Sequence, residues 1–128
     1  MIAINRMKLI ARLLGWSAVI IIAVLSLVPG DIRPHTGAPG PFEHVAAYLG
    51  TAVLLTVGYG GNRLPGAIVL SLSFYSAVFE IVQTQIPGRN AAVSDFVAST
   101  LGAALGGIAG WILLKGLEHI WGRPIGMK

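Results

Sequence analysis

The sequence predicts an all-α fold, a polytopic membrane protein with four transmembrane helices in a compact bundle. Three observations predict it. Of 128 residues only 11% are charged, against roughly 25% in a soluble domain. Hydrophobic residues make up 55%, with 17 glycines besides. Mean hydropathy is +0.77, and the charges fall in short clusters between long uncharged runs. So few charges cannot dress a soluble surface, which excludes a soluble enzyme, a nucleic-acid binder and a disordered tail. The chain has no cysteine, which removes disulfides, thiolate catalysis and cysteine-based metal sites.

One domain, 1–128, is expected, with helices at about 9–29, 44–60, 64–86 and 95–115. The first follows from 18 uncharged residues between Arg12 and Asp31, close to the roughly 20 needed to cross about 30 Å of hydrocarbon. Arg6, Lys8 and Arg12 resemble the basic flank of a signal peptide, but no small-x-small cleavage site follows before Pro29, so an uncleaved anchor is expected. Residues 29–41, with four prolines and three glycines, read as an irregular loop. The second helix follows from 18 uncharged residues, Val45 to Asn62, and Gly60-Gly61-Asn62 is the turn that ends it. The third starts near Leu64 with Pro65 in its first turn, where a missing N–H costs little. Its 16 uncharged residues reach Glu80, and it can continue to Ile86 before Pro87-Gly88 stops it. The fourth spans the 19 uncharged residues from Phe96 to Leu114, with Ser94 or Asp95 as its N-cap.

Orientation follows from basic residues, which accumulate on the cytoplasmic side. Four crossings put both termini on the side of the short second loop, which carries Arg6, Lys8, Arg12, Arg63, Lys115, Arg123 and Lys128. The other side carries only Arg33 and Arg89. Both termini are therefore expected in the cytoplasm, with Tyr59, Trp111 and Trp121 as an inner aromatic belt. The net charge of +4 is then a topology signal, with anionic lipid as counter-charge and no nucleic-acid partner.

Polar residues gather at the outer end. At 1.5 Å per residue, Glu80 lies roughly 24 Å along the third helix, where an ionisable group in lipid marks a functional site unless it snorkels to the headgroups. Gln83, one turn on, shares its face and offers amide donors. His44 and Tyr48 share the outer face of the second helix, as a base, relay or ligand with its support, or as an interfacial hydrogen-bonded pair. Glu43 beside them favours the helix N-terminus. Arg89 offers either a guanidinium fork for phosphate or carboxylate, or a salt bridge to Glu80 and Asp95. Asp31, Arg33 and His35 lie in the long loop with weak individual signals. Gly102, Gly106 and Gly110 form a small-residue stripe that packs within the bundle or across a homodimer.

The run PFEHVAAYLG, followed later by FEIVQTQIPGRNAAVSDFVASTLGAALGG, resembles the VanZ-like family of small bacterial membrane proteins over about residues 25–107. The positions that carry the resemblance are His44, Tyr48, Glu80, Gln83, Pro87, Gly88, Arg89, Asp95, Gly102 and Gly106. Two positions depart from the family pattern: Pro41-Phe42-Glu43 replaces an Asp-Lys pair, and Ser99 stands where an Asn commonly follows the Asp. The resemblance implies a multi-pass protein of the bacterial cytoplasmic membrane with a role in the cell envelope, as in teicoplanin resistance; it brings no established reaction or cofactor, and no cofactor is expected.

The leading expectation is a non-catalytic protein whose outer cluster, His44, Tyr48, Glu80, Gln83, Arg89 and Asp95, binds a lipid headgroup, a cell-wall precursor or an amphiphilic glycopeptide. The alternative is an intramembrane hydrolase or transferase on a lipid-linked substrate, with Glu80 or Asp95 as base, His44 as acid or metal ligand and Arg89 on a phosphate. A third reading is a proton-coupled transporter in which Glu80 titrates. One histidine among carboxylates, with no metal-type spacing, leads to no expected metal.

Overall fold

The computed structural model describes residues 2–34, 36–61 and 64–121, and all regular structure among them is helical. The order is α1 (Ile2–Leu27), α2 (Gly40–Tyr59), α3 (Leu64–Gln83) and α4 (Val93–Trp121). The helices pack as one bundle, with α2 against α4 the most extensive seam and α2 also touching α1 and α3. The expectation of four helices in a compact all-α bundle holds.

The helix ends differ from the expected ones, because uncharged runs mark hydrocarbon thickness and not helix length. The first helix begins seven residues early at Ile2, since Arg6, Lys8 and Arg12 are all compatible with a helix that emerges from lipid. The second starts at Gly40, with Pro41 in its first turn, where proline costs no hydrogen bond. The third stops at Gln83 and not Ile86. Residues 84–86 instead form tight i to i−3 bonds, Thr84 N to Ile81 O at 3.2 Å, Gln85 N to Val82 O at 3.0 Å and Ile86 N to Gln83 O at 3.1 Å, ahead of Pro87. The fourth helix runs past Lys115 to Trp121, because Glu118 pairs with Lys8 of α1 at 3.0 Å and with Lys115 at 3.5 Å. Neither Ser94 nor Asp95 is its N-cap: both lie within its first turn.

Glycine decides how closely the helices approach. A Cβ on Gly102 would lie 3.0 Å from Val45 Cα, one on Gly106 2.9 Å from Ala52 Cβ, and one on Gly110 2.9 Å from Thr56 Cβ. The stripe therefore faces α2 inside the bundle, and the homodimer alternative is not needed to bury it. A second glycine seam joins α1 to α2. Gly15 leaves room for Leu55, Gly58 leaves room for the Arg12 backbone, and the Arg12 guanidinium donates from Nε to Gly58 O at 2.7 Å.

α1, α3 and α4 are each long and apolar enough to cross a membrane. Their outward faces are apolar, with Ile20, Leu70, Phe74, Leu101 and Ile108 all exposed. Such a surface is matched by hydrocarbon and not by water. α2 carries Glu43, His44, Thr51 and Thr56 among its 20 residues and has the bundle's most enclosed face, with Tyr48, Thr51, Ala52, Leu55 and Thr56 buried. At the end shared by the two termini, Trp16 Nε1 donates to Tyr59 Oη at 2.7 Å and Arg12 lies over the Tyr59 ring. Of the basic residues assigned to this end, Arg63, Arg123 and Lys128 lie outside the described residues, as do Asn62 of the expected turn and His35 of the long loop.

Candidate functional site

The opposite end of the bundle gathers the last turn of α1, the first turns of α2 and α4, and the end of α3. Its polar residues come from three helices. His44 on α2, Glu80 on α3 and Asp95 on α4 each present one nitrogen or oxygen, and these atoms lie within 4.8 Å of one another. His44 Nδ1 is 3.0 Å from Ser99 Oγ, and Nε2 is 3.6 Å from Asp95 Oδ2. Asp95 and Ser99 are four residues apart, so both face His44 across the seam that Gly102 keeps narrow. Glu80 is only 9% exposed, and its Oε2 accepts the Ala92 N–H at 2.9 Å. Its carboxylate thus sits at the N-terminus of α4, where negative charge is favoured, and fills the role expected of Ser94 or Asp95.

Ser99, His44 and Asp95 resemble a nucleophile, base and acid in sequence of contact, but Ser99 is 0% exposed. A hydroxyl with no path to substrate orients the imidazole and does not attack. Tyr48 is also buried, faces Ser76 and Ser99, and its ring stacks beside that of His44, so the expected shared face exists and Tyr48 supports it from within. Gln83 lines the smaller of two cavities beside the cluster and also makes a structural bond. Its Nε2 donates to Ser26 O at 3.2 Å, which ties α3 to one of the last carbonyls of α1. That amide hydrogen serves the fold and not a ligand.

Arg89 is half-buried in the loop after α3, its N–H bonded to Ile86 O at 3.2 Å. Among the described residues it makes no ion pair, contrary to the expected bridge, although Glu80 and Asp95 are near enough to favour its charge. Burial and the neighbouring Arg33 pull its pKa below the usual arginine value. Arg33 itself pairs with Glu43 at 2.8 Å and has its Nε buried without a hydrogen bond. Glu43 also accepts from the Thr36 hydroxyl, so it does more than favour a helix N-terminus. Residue spacing gives no hint that Arg33 and Arg89 meet; only the fold brings the long loop onto the short one. There Gly30 N donates to Pro87 O at 3.2 Å, and a Cβ on Gly30 would fall on the Gly88 carbonyl.

No protein-family model, no curated protein and no solved structure matches the chain.

Two cavities border this cluster. The larger, about 550 Å³, is lined by apolar residues such as Ile22, Leu25 and Ala47 and by the polar Arg33, Glu43, His44 and Arg89. A smaller polar one of about 120 Å³ is bounded by Arg33, His44, Gln83, Arg89, Asn90 and Asp95. The larger volume is within the usual range of small-ligand sites. Its lining is amphipathic, with the Arg33–Glu43 pair and Arg89, unpaired among the described residues, beside aliphatic side chains.

Proposed function

We propose that this is a multi-pass membrane protein, with both termini in the cytoplasm, that binds the anionic head and adjoining tail of an amphiphile at its outer face. The observation that carries the reading is the amphipathic cavity, in which two arginines from different loops border the same space as apolar side chains. Arg33 is already paired with Glu43, whereas Arg89 has no ion pair among the described residues and feels the charge of Arg33, so an anion beside Arg89 relieves that repulsion. The uneven spread of basic residues supports the orientation, and the resemblance to VanZ-like proteins supports a bacterial envelope setting, with a lipid headgroup, a cell-wall precursor or a lipid-tailed glycopeptide as the amphiphile.

The test is thermal unfolding in a neutral detergent with phosphatidylglycerol, a polyprenyl phosphate or a lipid-tailed glycopeptide added, and phosphatidylcholine as control. A ligand at about 100 times its Kd stabilises the folded state by about 2.7 kcal/mol. One of the three anionic probes should raise the unfolding midpoint, and Arg89→Gln and Arg33→Gln should each weaken the effect. No response to any of the three, or an equal response to phosphatidylcholine, rejects the reading. A hydrolase or transferase acting on a lipid-linked substrate is the second reading, favoured by the convergence of His44, Glu80 and Asp95. Conversion of the polyprenyl probe, followed by mass spectrometry, would establish it in place of simple binding.

A further inference from the structure

We propose that His44, Glu80 and Asp95 bind a divalent cation, with Zn²⁺ the best match to the donor set. The inference goes beyond the amphiphile reading and stands without it, because it concerns the protein and the metal alone.

The geometry is that of ligands drawn together from three helices. His44 Nδ1 lies 3.0 Å from Ser99 Oγ and Nε2 lies 3.6 Å from Asp95 Oδ2. In the tautomer that donates from Nδ1 to Ser99, Nε2 and the carboxylate are two acceptors facing each other at a separation that leaves a place for a cation. At Zn–N and Zn–O lengths of about 2.0–2.2 Å, neighbouring ligands on a tetrahedron stand about 3.4 Å apart. The His44–Asp95 pair is close to this spacing, and the Glu80 donor, within 4.8 Å of both, needs to close by up to about 1.4 Å. Its Oε2 already accepts from Ala92 N, so the carboxylate is anchored while retaining lone pairs.

Charge points the same way. Glu80 and Asp95 bring two carboxylates into a place of low solvent access, where the Arg89 guanidinium is near enough to feel both but pairs with neither. Arg33 is engaged by Glu43. Ser99 supplies the outer contact that metal-bound histidines commonly have, holding the ring by its other nitrogen. Three protein ligands leave a fourth position, and the 120 Å³ polar cavity beside His44 and Asp95 gives it somewhere to open, toward Arg33 and Arg89. The sequence hides this set because its members belong to different helices and no two lie at a metal-ligand spacing.

The experiment uses the full chain in mild detergent, stripped with chelator, and titrated with Zn²⁺ by calorimetry, with metal content counted by mass spectrometry after gel filtration. About one Zn²⁺ per chain is expected, lost in His44→Ala and in the near-isosteric Asp95→Asn and retained in the control His119→Ala. Ser99→Ala, which removes only a positioning contact, should weaken binding by about tenfold. Circular dichroism checks that each variant folds, and Asp95→Asn stands in for His44→Ala if the latter does not. A wild-type chain that takes up no stoichiometric Zn²⁺ overturns the proposal. So does Zn²⁺ binding that survives in folded Asp95→Asn, which would leave His44 and Asp95 an ordinary ion pair.

Discussion

At the scale of single residues, Glu80 illustrates how one side chain serves both fold and site. Its carboxylate joins α3 to the start of α4 through the Ala92 N–H. Glu80→Ala leaves that donor without a partner in a part-buried position and should cost about 1–3 kcal/mol, whereas Glu80→Gln keeps an acceptor and should lose much less. Thermal unfolding in detergent compares the two, and equal losses would mean that the bond contributes nothing. Because Arg89 is not bonded to Glu80, reversing both charges should not rescue either single change; rescue would show a pairing in solution that the structure lacks. Much of the site was legible in the sequence at this scale. His44, Tyr48, Glu80 and Asp95 stood out as polar residues on apolar helices, and helical spacing correctly placed His44 beside Tyr48. Arg33 was not legible as a site residue, and Ser99 stood out only as a departure from the family pattern. A loop arginine and a small helix hydroxyl carry no periodic signal, and both acquire their roles from partners far away in the chain.

At the scale of elements, the α2–α4 seam is set by side chains that are missing. Gly106 has Ala52 and the Leu49 backbone against it, while Gly50, on α2 itself, has nothing within 4 Å of an added Cβ. Gly106→Ala should therefore destabilise by about 1–3 kcal/mol through overpacking. Gly50→Ala should be neutral or stabilising by up to about 1 kcal/mol, since helix glycine carries an entropic cost. Denaturation in a detergent series measures both, and a harmless Gly106→Ala would place the close seam elsewhere. The existence and order of the four helices could be read from uncharged runs, although only α1, α3 and α4 are long and apolar enough to match hydrocarbon. Their ends could not, because basic first turns and a Lys-Glu-paired last turn are helical while looking aqueous. The Gly15–Gly58 crossing was also hidden, since single glycines on two different helices form no stripe within either one.

At the scale of the whole molecule, orientation rests on the spread of charge. Cysteines at Ala38 and Ala91 should react with a membrane-impermeant maleimide in intact cells, and the native chain adds no background. A cysteine at Ala3, exposed on α1 at the opposite end, should stay protected until the membrane is opened. The reverse labelling pattern would turn the molecule over and move the cavity to the cytoplasm. Ala3 serves this purpose better than Gly61, whose φ of +108° would strain any replacement.

The enclosure of α2 has a consequence for how the molecule is made. This helix is synthesised second, yet it carries Glu43, His44, Thr51 and Thr56, and its most extensive packing partner, α4, emerges from the ribosome last. Glu43 finds Arg33 in the preceding loop and Thr51 donates to Ala47 within α2, but His44 gains Ser99 and Asp95 only when α4 is made, so completion of that cluster must wait for a long-range contact. Ending translation after α3 should leave α2 poorly inserted, with a protease site engineered near Tyr59 cut more readily than in the full chain. Equal protection in both would mean that α1 and α3 suffice as company for α2, and that α4 joins a bundle already in place.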